Sequence, residues 1–314
     1  MQPDAPPARY EYNWNPLLGC LQGLLRAAGL PHDAARVGAV SGEAFRLPWP
    51  PAATGGPAFA AGADSPRDLS TLAGDLALLG LRARVDVWDL RSGRSLLLGR
   101  RLGWRLRRAL ADGRAAAASG VAGGDFGLLV AYDGARRAYR VDGPLSEEVG
   151  GWLRADRLPA PGADWLAVVI SEAAMAKGPA DTATLVRRAA THQRDADRAE
   201  RLRDWVTLLR SQVEIDATGH ARAAQALAAA SGEAARFFRQ AAAEGVAEAA
   251  PLAEAAAALA LALSRFATLF PFPGGGDVVG GGREAGARSL ESALRAEAAL
   301  AAPAAGTPPG PAGG

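Results

Sequence analysis

The pattern of apolar and polar positions divides the chain into a mixed first half and a helical second half. Leu21, Leu24 and Leu25 recur at helical spacing and Gly29 ends the run, so a helix of roughly ten residues is predicted to begin near Cys20. A shorter helix is expected over residues 33–40. Leucines at the same spacing predict two more, at positions 69, 72, 76 and 79 and at positions 102, 106 and 110.

Alternating and short apolar runs predict an antiparallel sheet in the first half. Residues 81–88 alternate strictly, as a half-buried strand does, and residues 126–132 are apolar throughout, as expected for a buried central strand. Asp133 and Gly134 form a hairpin turn from which residues 138–142 return. Residues 115–121, 152–153 and 165–170 supply further strands, so helices followed by an antiparallel sheet predict an α+β fold.

The second half has a different composition, and four segments are predicted along the whole chain. Residues 1–9 are expected to be disordered, residues 10–177 to form the α+β domain, and residues 178–273 to form an alanine-rich helical bundle. Residues 274–314 are rich in Gly, Ala and Pro, which indicates a linker, a helix near residues 283–301 and a disordered tail.

Composition narrows the class of protein without assigning a function. A single cysteine among 314 residues excludes an internal disulfide and a cysteine-rich zinc site, and it suits a reducing compartment. The net charge is only +2, so nucleic-acid binding is not expected from the pI of about 9.0. The start of the chain lacks a signal-peptide pattern, and residues 255–270 are too short and too weakly apolar to span a membrane. We therefore expect a cytoplasmic protein.

Cys20 is the candidate for chemistry on the first helix. A thiol in the first turn of a helix loses its proton more readily, because the orphan amide hydrogens and the helix dipole favour an anion. A nucleophilic cysteine is one interpretation of this placement. The other is that a free cysteine among leucines is a small buried hydrophobic residue.

Residues 13–45 resemble the N-terminal region of butirosin biosynthesis protein H and its relatives. The shared features are an aromatic residue and a glycine before Cys20, a leucine-rich helix after it, and the run Ser41-Gly42-Glu43-Ala44-Phe45. That family is similar to the papain-like peptidases that trim bacteriocin leader peptides. The resemblance spans roughly residues 10 to 170, and it implies a papain-like domain with a cysteine nucleophile, a histidine base and an Asp or Asn that orients the base.

The resemblance assigns site residues but leaves the base position without a histidine. Cys20 matches the nucleophile and Asp142 matches the orienting acid, whereas Asp125 stands where the histidine is expected. No glutamine precedes Cys20 at the spacing of an oxyanion hole, so Asn13, Trp14 and Asn15 are the candidates for that pocket. A carboxylate beside a thiolate raises the thiol pKa, so Asp125 either acts as an unusual base or supports the hairpin or contacts an arginine.

The three histidines do not complete a triad on sequence grounds. His32 follows the far end of the Cys20 helix and is predicted to begin the next one. His192 is expected on a solvated, charged helix face. His220 begins a bundle helix and is the one histidine that could approach Cys20 from the second domain.

Two function classes remain open. The first is a cysteine-dependent acyl-transfer or amide-hydrolase-like protein with an incomplete triad, whose substrate would be an acyl group on a carrier protein, or a peptide. The second is a non-catalytic protein on a degenerate papain-like scaffold that binds a peptide, a small molecule or a partner. No cofactor or metal site is indicated. The arginine run over residues 94–108 is interpreted as a solvated helix face, with an acidic carrier protein or a phosphate as the alternative ligand. The oligomeric state is left open.

Overall fold

The computed structural model describes residues 7–46, 69–90, 95–122, 125–144, 151–159, 163, 165–195 and 197–301. Within these ranges the fold is α+β, as the sequence predicts. The expected loop over residues 48–63, the cap of the following helix at residues 64–66, and the tail beyond residue 302 lie outside the described residues.

The secondary-structure elements follow the predicted order. Helices α1 to α4 are Pro16–Ala27, Ala34–Ser41, Leu72–Leu78 and Ser95–Ala111. Strands β1 to β6 are Leu81–Asp89, Ala116–Ala122, Asp125–Asp133, Ala138–Asp142, Trp152–Arg154 and Trp165–Ala174. Helices α5 to α9 are Thr182–Asp195, Arg198–Arg210, Ala217–Ala243, Ala249–Leu269 and Gly281–Ala301. Residues Glu43–Phe45 form a 3-10 turn after α2.

The strands form one antiparallel sheet in the described part of the chain, in the order β1-β6-β2-β3-β4-β5. Alternate residues of β3 point to opposite faces, so Leu128 packs with α1 and Leu129 packs with α4. Helices α1 and α3 therefore cover one face of the sheet and α4 covers the other. The exposed arginines of α4, Arg101, Arg107 and Arg108, lie on its solvated side, as predicted.

The helical half packs directly against the first half. Helix α7 contacts α2 and the Glu43–Phe45 turn, where the rings of Phe45 and Phe238 are 6.1 Å apart. The buried residues of α1, of the sheet face that α1 covers and of α5 to α9 form one continuous hydrophobic cluster. The division at residue 178 therefore marks a change of architecture, while the core runs across it.

A buried ion pair joins α6 to the last helix, α9. Arg198 and Glu297 are each less than 4% exposed, and Arg198 Nε lies 3.5 Å from Glu297 Oε2. Arg198 also donates to Ser231 Oγ, and Gln193 donates to Glu297 Oε1. Because charges taken out of water need partners, this network fixes how α9 docks on the bundle.

Helix α8 is longer than the apolar segment that the sequence suggests. It begins at Ala249, has 21 residues and a mean hydropathy of 1.5, so among the described residues it has the length and composition of a spanning helix. The prediction that this segment is too short was therefore wrong. Its buried residues, among them Leu259, Leu263 and Phe266, pack between α7 and α9.

Candidate functional site

Cys20 lies deeper in its helix and in the core than the sequence predicts. Helix α1 begins at Pro16, which suits the first helical position, and Asn15 caps it by accepting a hydrogen bond from the Leu18 N–H at 3.2 Å. Cys20 is therefore in the second turn, where its amide is already inside the helix. Its side chain is 0% exposed.

The environment of Cys20 opposes formation of a thiolate. Burial raises the pKa of the Cys20 thiol well above its usual value, and the nearby Asp142 carboxylate raises it further. The expectation of a lowered pKa is wrong, because desolvation and a neighbouring negative charge outweigh the helix dipole.

Residues 7–14, called here the N-terminal segment, pass across α1 next to Cys20. The Glu11 N–H donates to the Gly19 carbonyl at 3.3 Å. A Cβ at Gly19 would lie 2.2 Å from the Glu11 carbonyl oxygen, and one at Gly23 would lie 2.2 Å from that of Arg9. Only glycine allows the segment to approach the helix this closely.

Tyr10 forms hydrogen bonds with two of the predicted site residues. Its backbone N–H donates to Asp142 Oδ2 at 2.9 Å, and its hydroxyl donates to the Asn13 carbonyl at 3.2 Å. Burial raises the pKa of the Tyr10 phenol, and the charges of Cys20 and Asp125 raise it further. The Tyr10 ring itself packs against Gly19. Sequence reasoning missed Tyr10, although two glycines one turn apart at positions 19 and 23 indicate that another chain segment comes close to α1.

Asp125, at the predicted base position, forms an ion pair. It is 4% exposed, and its Oδ2 lies 2.8 Å from Arg222 Nη2 on α7. The prediction that Asp125 contacts an arginine is confirmed. The guanidinium comes from the helical half, 97 residues away in sequence, so no local pattern around Asp125 could identify it.

The three candidates for an oxyanion pocket lie directly before the first residue of α1. Asn13 Oδ1 accepts from the Asn15 N–H at 2.9 Å, and Asn15 Nδ2 donates to Glu43 Oε2 at 2.7 Å. Trp14 makes an edge contact with Phe272, with ring centroids 5.7 Å apart. The side-chain amide of Asn15 therefore donates its hydrogen bond to the buried carboxylate of Glu43.

Each histidine has a partner other than Cys20. His32 Nε2 lies 3.0 Å from the Leu79 carbonyl oxygen. His192 is not solvated as predicted but lies 3.1 Å from Asp75, a buried carboxylate that also pairs with Arg188 and so ties α3 to α5.

His220 does not approach Cys20 as a base. It is 0% exposed among bundle aromatics, and its Nε2 accepts from Trp205 Nε1 at 3.0 Å. Burial, with a contribution from Arg283, lowers the pKa of His220 to about 4. The possibility raised from sequence, that His220 completes the triad, is therefore wrong.

A groove lies beside the N-terminal segment. It has a volume of about 780 Å³ and is lined on one side by residues 7–10 and on the other by residues of β3 and β4, including Val130, Arg140 and Asp142. Among the described residues, no group of three or more His, Cys, Asp or Glu side chains is placed to hold a metal ion.

No family model, curated protein or solved structure matches this chain.

Proposed function

We propose that this chain is a non-catalytic binding protein built on a papain-like scaffold, in which the nucleophile position holds a structural cysteine. The observation that carries the proposal is the complete burial of the Cys20 side chain beside Asp142. A catalytic cysteine needs a thiolate and access for a substrate carbonyl, and this environment disfavours both.

The base position supports the same conclusion. A histidine base becomes a cation when it takes the thiol proton, and that cation stabilises the thiolate. Here the position carries Asp125, whose negative charge is balanced by Arg222 instead of by a thiolate. Protonating Asp125 would leave the arginine without its partner, which opposes a role as base.

The proposal predicts that the protein does not form an acyl-enzyme. The purified chain would be incubated with a simple acyl thioester at neutral pH and followed by intact mass, with Cys20→Ala as the matched control. We expect no adduct on either protein. An adduct that forms on the native chain and is absent from Cys20→Ala would overturn the proposal.

The second candidate function is cysteine-dependent acyl transfer or amide hydrolysis, with a carrier-bound acyl group or a peptide as substrate. It is favoured by the closeness of Cys20 and Asp142, the two residues that the family resemblance pairs. This function requires the N-terminal segment to move, because the Cys20 thiol is fully buried and the Tyr10 ring packs against Gly19, the residue before it in α1. The same acylation experiment separates the two candidates.

A further inference from the structure

The N-terminal segment runs along α1 as an extended chain, and its residue spacing matches the spacing of two glycines on the helix. Gly19 and Gly23 are one turn apart, about 6 Å along the helix axis. The carbonyls of Arg9 and Glu11 that contact them are two residues apart, about 6.6 Å in an extended chain. The segment therefore runs antiparallel to α1 with alternate carbonyls against successive glycines.

The other side of the segment faces the sheet. The peptide unit between Arg9 and Tyr10 turns its carbonyl towards Gly23 and its N–H towards Asp142 on β4. Because the N–H and C=O of a trans peptide point in opposite directions, one peptide unit spans the space between helix and strand. Recognition on both sides uses backbone atoms, which any extended polypeptide can supply.

Inward-facing and outward-facing side chains alternate along the segment, so the inward positions select which residues fit. Ala8 and Tyr10 are half-buried and pack against the core, whereas Pro7 before them and Arg9 between them are exposed. The inward positions accept a small side chain and, two residues later, an aromatic one that packs against Gly19. The groove of about 780 Å³ continues this surface along β3 and β4.

We infer that the space between α1 and β4 is a binding site for an extended polypeptide with a small residue followed two positions later by an aromatic residue, and that residues 8–11 are its intramolecular occupant. The inference rests on the proposed binding function and names its ligand class. A peptide in trans competes with a covalently attached segment, so binding is observable once the attached segment is weakened.

Cys20 provides a reporter in the full-length chain, because it is the only cysteine and directly follows Gly19, against which the Tyr10 ring packs. The variant Tyr10→Ala removes the inward aromatic ring, and we expect its thiol to react with a disulfide reagent at least about tenfold faster than in the native chain, through local opening. Tyr12→Ala is the matched control: the same residue type in the same segment, but 76% exposed. It should label at the native rate.

The trans ligand is a synthetic peptide with the sequence of residues 7–15. At millimolar concentration it should slow labelling of Tyr10→Ala several-fold and saturably, since short flexible tethers give effective concentrations in that range. The same peptide with Ala in place of the Tyr10 residue should give no protection. Equal labelling rates for Tyr10→Ala and the native chain, or no slowing by the peptide, would overturn the inference.

A second variant guards against a loss of folding in Tyr10→Ala. Asp142→Ala removes the acceptor of the Tyr10 N–H, and it should also label faster, with weaker protection by the peptide. Labelling of that variant at the native rate, or faster labelling that the peptide slows as strongly as it does in Tyr10→Ala, would contradict the assigned site. Failure of this inference is distinct from failure of the proposed function, because peptide protection and thioester acylation are separate readouts on the same chain.

Discussion

The substitution Gly23→Ala tests the close packing between α1 and the N-terminal segment. The added Cβ would lie 2.2 Å from the Arg9 carbonyl oxygen and 2.8 Å from Leu128 Cδ1. Neither contact can persist, so the segment must leave the helix or the helix must shift. The helix itself gains about 1 kcal/mol when alanine replaces glycine in its interior.

Detachment of the segment costs more than the helix gains. The hydrogen bonds from Glu11 to Gly19 and from Tyr10 to Asp142 are lost, at about 1 kcal/mol each. Exposure of the half-buried Tyr10 ring adds about 1–2 kcal/mol. After the gain in helix propensity, we expect the free energy of unfolding to fall by about 2–3 kcal/mol.

The matched control is Gly232→Ala, in the interior of α7, where a Cβ meets nothing within 4 Å. It should leave stability unchanged or raise it by up to about 1 kcal/mol. Urea denaturation would compare the two variants with the native chain, and thiol labelling would report exposure of Cys20. The reasoning fails if Gly23→Ala is as stable as Gly232→Ala and Cys20 stays protected.

Three further predictions concern buried charged and titratable groups. Because the pKa of His220 falls from 6.5 to about 4 on folding, stability should drop by up to about 3 kcal/mol as the pH is lowered from 6.5 to 4. The pH dependence of urea midpoints should flatten over that range in His220→Gln, and an unchanged slope would count against it. Burial raises the pKa of Asp75, but its hydrogen bonds to His192 and Arg188 outweigh this and lower the pKa. The stability that Asp75 contributes should therefore be lost as the pH falls through the lowered pKa. Asp75→Asn should lose that acid dependence in thermal melts, and a melting curve as acid-sensitive as that of the native chain would contradict the account. Arg198→Met should lower the free energy of unfolding by about 3–5 kcal/mol, because Glu297 stays buried without its cationic partner. The double variant Arg198→Met with Glu297→Leu should recover most of that loss. Recovery of none of it would show that the two residues are not coupled.

The local pattern of the sequence predicted the elements better than it predicted their ends. The alternation at residues 81–88 and the apolar run at residues 126–132 became β1 and β3, because strand periodicity depends on neighbours in the chain. The start of α1 was placed too late, since the leucine spacing begins only after Cys20, whereas Asn15 caps the helix and Pro16 is its first residue. That shift moved Cys20 from an expected helix start into the second turn.

The environment of the candidate residues was not predictable from the local sequence. The charge of Asp142 acts on the Cys20 thiol, and the other partners of these residues come from distant parts of the chain. Arg222 reaches Asp125 from the helical half, and Tyr10 reaches Asp142 across 132 residues. Docking of helices and of terminal segments depends on shape across the whole fold, which periodicity does not report.

The most direct measurement is the alkylation rate of Cys20 in the native full-length chain as a function of pH, compared with the same thiol in the unfolded chain. A buried structural thiol predicts a native rate at least about a thousandfold slower at neutral pH, with no rise before the protein opens. A rate within about tenfold of the unfolded chain, reaching its plateau below pH 7, would show an accessible thiolate and contradict the account.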